Sequence, residues 1–173
     1  MKQIILCSLL IGLVLQACSQ TKKGLPPEYS LDGTVNSLYE VISGEIGEKR
    51  DWKLFKSLFA EGARMVPLHQ KPEVGAIATY LNPQDYIDRS SQWLLENGFF
   101  EIEIHRQIDQ FGDMAHVFST YEAYHSMSDE QPFLKGINSI QMYRDKERWK
   151  ILNMTWLQES VDNPIPDQYL PRP

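Results

Sequence analysis

Apolar positions recur first at helical and then at strand spacing. Leu31, Val35, Leu38, Ile42 and Ile46 fall at steps of four, three, four and four, one face of a helix that stops before Lys49-Arg50. Asp51 can cap a second helix, in which Trp52, Phe55 and Phe59 with Leu54 and Leu58 form a broad apolar side closed by Glu61-Gly62. Arg64-Met65-Val66 reads as a short strand and Pro67 to Val74 as a loop. Asn82-Pro83-Gln84-Asp85 is a strong helix start: a capping Asn, Pro at the first helical position and an acid in the first turn. That third helix puts Tyr86 and Trp93 on one side, as it does Ile87 and Leu94, and Asn97-Gly98 ends it.

After Gly98 the period becomes two. Phe100 to Ile108 alternates apolar and polar, the mark of a half-buried strand, and Asp109 to Asp113 turns the chain. Met114 to Ser126, Phe133 to Arg144 and Arg148 to Gln158 follow as strands, with loops at Ser126 to Pro132 and Asp145 to Glu147. Helices first and an antiparallel sheet after define an α+β class with about three helices on one sheet face. From Asp162 onward Pro164, Pro166, Pro171 and Pro173 predict an extended tail.

The chain has 173 residues, 42% of them hydrophobic and 23% charged, a length and composition for one globular domain. A formal charge of −6 argues against nucleic acid, whose binders need a basic face.

The N-terminus carries an address. Met1-Lys2 precedes an apolar run from Ile4 to Leu15, 12 residues where a membrane-crossing helix needs about 20. That length suits a cleaved signal peptide. The run ends Leu15-Gln16-Ala17-Cys18, which resembles the bacterial lipobox. The resemblance implies removal of residues 1–17, acylation of Cys18 and a membrane partner through that lipid; several acyl chains anchor stably where one is marginal. Ser19, rather than Asp, after the Cys implies sorting to the periplasmic side of the outer membrane, within the cell envelope. Residues 18–28 then form the lipidated Cys and a polar tether, 29–160 the domain and 161–173 the tail. Cys7 and Cys18 are the only cysteines, so the mature domain has neither a disulfide nor a thiolate.

Three segments bring in a family. Asp51 to Ala63 carries an F-A-E-G-A turn, Gly112-Asp-Met-Ala-His-Val-Phe118 a G-D-x-A-x-V strand entry, and Asp145-Lys-Glu-Arg-Trp-Lys-Ile151 a final hairpin. In order and spacing these resemble the nuclear transport factor 2-like superfamily, which includes ketosteroid isomerase and the SnoaL-like polyketide cyclases. The resemblance implies a curved sheet wrapped around helices to form a cone with a cavity, and in many members a homodimer through the outer sheet face. The fold hosts isomerases, dehydratases, cyclases and non-catalytic binders.

On the isomerase pattern Leu152, Met154 and Trp156 face the cavity, with Trp149, Ile151, Asn153 and Thr155 opposite. Strict alternation then turns Ile137, Ser139 and Gln141 inward on the preceding strand, and His116, Phe118, Thr120, Glu122 and Tyr124 on the one before it. His116, Phe118, Thr120, Tyr124, Ser139, Gln141, Met154 and Trp156 are therefore the candidate ligand-binding set for a small, mostly apolar molecule. The alternative is that the same aromatic residues simply fill the cone as core. Tyr121 and His125, with Ala115, Val117, Ser119 and Ala123, would form the outer, dimer-forming face.

No catalytic set is assignable. The isomerase base position reads Pro67, beside Leu68 and His69; the acid position reads Ser139; and Tyr39 sits about one turn off the expected tyrosine register. His116 is the one candidate general base. Its facing carboxylate, Glu122, is six residues away, ~20 Å along a strand, so it would need Ser139, Gln141 or a helix residue as partner. The plainer reading makes His116 a rim residue and Glu122 a solvated strand end. Metal binding is not supported: His69, His105, His116 and His125 form no chelating pair, and Glu101, Glu103 and His105 share a strand face whose ends lie ~13 Å apart. A solvated face explains those three, and no cofactor is called for. The leading expectation is thus a lipid-anchored ligand-binding domain. Its rivals are a SnoaL-like dehydratase, cyclase or isomerase using His116, and a dimeric interaction module with a filled cone.

Overall fold

The computed structural model describes residues 29–172; the expected signal peptide, lipidated Cys18 and tether lie outside the described residues. Helix α1 spans Leu31–Ile42, capped by Ser30, whose side chain accepts from the Gly33 amide. Its last carbonyls and the following loop converge on Arg50, whose guanidinium donates to the carbonyls of Ile42 at 2.9 Å and Gly44 at 2.7 Å, and to that of Glu48. Ile46 therefore falls in this loop, exposed, one turn beyond the helix its spacing suggested.

Helix α2 is short, Trp52–Ser57, with Asp51 accepting from the Lys53 and Leu54 amides. Strand β1 then runs Phe59–Lys71 and pairs with β2, Gly75–Ala78. The residues expected as a loop after Pro67 are thus half of a hairpin. Helix α3, Pro83–Asn97, begins with the expected cap, closed reciprocally by Asp85 in a capping box. Its end is tied to the end of α1, because Gly44 and Phe99 exchange backbone hydrogen bonds at 2.8 and 3.0 Å.

Strands β3 (Phe100–Phe111), β4 (Met114–Tyr124), β5 (Leu134–Asp145) and β6 (Arg148–Gln158) follow as an antiparallel meander. The six strands form one sheet in the order β2-β1-β6-β5-β4-β3, and only β1 and β6 run parallel. Bulges interrupt the ladder between Glu103 and His105, and opposite Gln141 and Met142, where Leu152 is the extra residue. Such bulges bend and twist a sheet, here over the helices. Among the described residues the architecture is α+β, with the three helices on one face and a core of Val35, Leu38, Phe55, Val117, Ile140 and Ile151 between the layers.

The tail is not a free extension. It lies on the sheet's other face, where Ile165 is buried, a 3-10 turn forms at Asp167–Tyr169, and Thr120 Oγ1 donates to the Tyr169 carbonyl at 2.7 Å. Tyr169 also meets Phe118 edge-on at 4.9 Å between centroids.

Candidate functional site

Between α1, α3 and the sheet lies a cavity of about 340 Å³. Leu38 and Ile42 come from α1, Tyr86 and Trp93 from α3, Glu101 from β3, Tyr121 from β4, Asn138 from β5, and Met154 and Trp156 from β6. Phe55, Met65, Phe99, Phe133, Leu134 and Gln158 complete a lining that is mostly apolar and rich in aromatic rings. Trp93 and Phe133 keep 44% and 41% of their surface exposed, which marks the mouth.

The polar groups of the cavity form one network. Asn138, buried to 1%, donates from Nδ2 to Glu101 Oε1 and to the Tyr39 hydroxyl, each at 3.0 Å. Tyr39 Oη lies 2.6 Å from Ser119 Oγ, which donates to Glu103. Because Tyr39 already accepts from Asn138 and Ser119 already donates to Glu103, the Tyr39 proton points at Ser119. Glu103 is neutralised by Arg106, whose Nε donates to both carboxylate oxygens at 2.8 and 3.0 Å and whose Nη atoms reach Asp32 and Asn36 on α1.

Glu101 has no such counter-ion. Burial pushes its carboxyl up to about 7, with the Asn138 hydrogen bond pulling the other way. Burial, reinforced by the Glu101 charge, also raises the phenols of Tyr39, Tyr86 and Tyr121 far above the usual tyrosine range. An amide N–H does not relay protons near neutrality, so the chain from Asn138 to Arg106 orients Glu101. Proton exchange at Glu101 goes through the cavity.

Of the eight residues expected to bind ligand, Met154 and Trp156 line this cavity. The other six are on the opposite face, and the assignment of β4 and β5 is reversed. On β4 the helix-facing residues are Ala115, Val117, Ser119, Tyr121 and Ala123, all buried; on β5 they are Asn138, Ile140 and Met142. The set expected to contact a second copy is therefore core, and His125 stands at the strand end, stacked on Phe133 at 4.1 Å. The Leu152 bulge makes a separate correction, on β6. It sends Trp149 and Ile151 inward with Met154 and leaves Leu152 exposed, whereas unbroken alternation puts Leu152 with Met154. For β4 the physical reason is the tail: covering Phe118 and Thr120 gives both faces of the strand an apolar character.

The outer residues do meet one another. His116 Nε2 is 3.0 Å from Ser139 Oγ, Gln141 donates to the same hydroxyl at 3.3 Å, and Asn153 donates to Gln141 at 2.7 Å. The partner expected of His116 is thus present, outside the cone. Tyr124 donates to Glu122 at 2.6 Å, and Lys135 bridges Glu122 at 2.7 Å. A second hollow of about 340 Å³ lies under the tail, among Phe118, Ile137, Ser139, Thr155, Ile165 and Tyr169.

Of the residues that define the inner site, Glu101 was expected on a solvated face and Ser119 on the dimer-forming face, and Asn138 was not singled out by sequence. Glu101 and Glu103 share a face as expected, yet that face is covered by helices rather than solvated, and the bulge at Ile104 turns His105 to the other side. Tyr39, expected off register, reaches the site through its hydroxyl. No group of three His, Cys, Asp or Glu among the described residues is arranged to hold a metal ion.

No family model matches the chain, and no curated protein does. Solved structures match in fold. A nuclear transport factor 2-like protein of unknown function from Silicibacter pomeroyi superposes with a TM-score of 0.53 at 12% identity, over 75% of this chain and 92% of its own. A protein of unknown function with a cystatin-like fold from Nostoc punctiforme gives 0.52 at 10%, over 73% and 86%. Hexachlorocyclohexane dehydrochlorinase LinA-type3 from Novosphingobium barchaimii gives 0.52 at 10%, over 80% and 90%. The chain has the nuclear transport factor 2-like, cystatin-like fold.

Proposed function

We propose that the chain holds a small, mostly apolar molecule in the cavity beneath α1 and α3, with Glu101 as its polar anchor. The observation that carries this reading is a carboxyl without a counter-ion at the wall of an aromatic cavity of about 340 Å³. A ligand site of this kind combines an apolar lining with a few placed polar groups. Filling the volume with core would have been simpler and would have spared the fold a half-buried, desolvated acid. Native mass spectrometry of the chain purified in mild detergent tests the reading. A co-purifying small mass, lost in Met154→Trp, is the expected result. An apo mass in every preparation, with no ligand that raises the melting temperature, overturns it.

One observation favours a catalytic version. A carboxyl that titrates near 7 has the proton affinity of a general acid or base at neutral pH, and one structural neighbour is a dehydrochlorinase. In this reading Glu101 takes the role first considered for His116, which sits outside the cone. Turnover in a substrate screen that disappears in Glu101→Gln but survives His116→Ala supports it; turnover unaffected by Glu101→Gln ends it.

The address completes the proposal. Acylation of Cys18 tethers the domain to the bacterial envelope, on the periplasmic side of the outer membrane, through residues 18–28. Labelled fatty acid is expected to enter the chain and not its Cys18→Ser variant; equal labelling of both contradicts the anchor.

A further inference from the structure

We infer that the cavity selects an organic cation, a molecule that carries an ammonium group on an aliphatic or aromatic body. This rests on the reading that the cavity holds a ligand and adds the sign of its charge. Glu101 is the one charged side chain lining the cavity among the described residues. Its hydrogen-bonding partner there, Asn138, is a neutral amide. Two residues along the same face, Glu103 receives Nε and Nη2 of Arg106. The strand therefore turns two carboxylates inward and supplies one counter-ion. The charge missing at Glu101 is positive, and the open space beside it is ligand-sized.

The rings around that space suit the same partner. Tyr86 and Trp156 stand at 82° with centroids 6.5 Å apart, and Trp93 and Phe99 at 67° and 6.2 Å. Rings at steep mutual angles present π faces on more than one side, the arrangement that holds quaternary ammonium groups. An anionic ligand would meet Glu101 with no cation to offset it. A neutral hydrocarbon would leave the carboxyl unpaired. The net charge of −6 also draws cations toward the molecule.

Binding of a cation selects the ionised carboxyl, so affinity is expected to climb as pH rises toward 7 and to level off above it. The groups that face Glu101 do not compete over this range. Tyr39 from α1, Tyr86 from α3 and Tyr121 from β4 keep their protons, Asn138 from β5 does not titrate, and Glu103 stays paired with Arg106. Arg50, whose charge reaches Tyr86, is committed to backbone carbonyls.

The test is a matched pair: benzyltrimethylammonium and its uncharged carbon isostere neopentylbenzene, titrated into the full chain with indole fluorescence from Trp93 and Trp156 as readout. At pH 8 the cation is expected to bind at least about tenfold tighter, the scale of one desolvated ion pair and cation–π contact. That preference should vanish at pH 5 and in Glu101→Gln, which should still take up the hydrocarbon. Equal binding of the two probes by the unaltered chain at pH 8 overturns the charge selection and leaves the cavity reading intact. Binding of neither probe overturns both.

Discussion

Burial raises the Glu101 pKa from an ordinary 4.5 to about 7, so the folded chain keeps a proton that the unfolded chain has already released. Between those values the native state binds more protons than the unfolded state, and stability must fall as pH rises. Below pH 4 both states are protonated and the cost is absent; above 7 it is complete, about 3 kcal/mol. Glu101→Gln should therefore be as stable as the unaltered chain near pH 4 and more stable by up to that amount at pH 8, read from urea midpoints across pH. Identical pH profiles would show that Glu101 is not buried as described. Asn138→Leu removes the hydrogen bond that favours ionisation, so the fall in stability should end at a pH above 7. Tyr39→Phe strands the Asn138 and Ser119 groups and should cost about 1–3 kcal/mol without moving that profile far. These residues escaped sequence reading for a definite reason. Alternation says that Glu101 and Glu103 share a face, but only the partner layer says whether water or a helix covers it.

Elements with local signals, the helix caps and the alternating strands β3 to β6, were legible; the β1–β2 hairpin and the facing of the strands, set by pairing, were not. Asn82, Pro83 and Asp85 specify the start of α3 within four residues, and the structure forms the cap they imply. Strand β1 runs past Pro67 because β2 returns beside it, and nothing within His69 to Glu73 announces that hairpin. The faces of β4 and β5 follow from their register with β6, where Asn138 stands opposite Trp156; on β6 itself a single extra residue at Leu152 turns Trp149 and Ile151 to the inner side. The site also depends on where α1 and α3 end. Arg50 fastens both, through the Ile42 and Gly44 carbonyls at one end and the Leu94 carbonyl at 3.4 Å at the other. Arg50→Met leaves those buried acceptors without donors and should lower stability by about 3 kcal/mol or more, measured by urea unfolding. A loss within a few tenths of a kcal/mol would mean that water replaces the guanidinium.

For the whole molecule, the three motifs that resembled the superfamily led to the right fold, and the structural neighbours share it at identities near 10%. The same resemblance left open what covers the outer face. Here the C-terminal segment covers part of it, so a homodimer through that face must either use the remaining surface, where Phe111, Met114 and Leu152 are exposed, or displace the tail. Ending the chain at residue 161 uncovers Phe118 and Thr120 and removes the buried Ile165. It should cost about 2–4 kcal/mol and promote self-association, seen by light scattering during gel filtration. Unchanged stability and a monomer at all concentrations would mean that the tail contributes nothing. The feature that sets this molecule apart is a carboxyl that stays without a counter-ion inside an apolar cone. The measurement that tests it most directly is a carboxyl-carbon NMR titration of Glu101 in the ligand-free chain. A midpoint near 7 is the expected result; a midpoint near 4.5 would mean that water or an unseen cation already satisfies the group, and would contradict it.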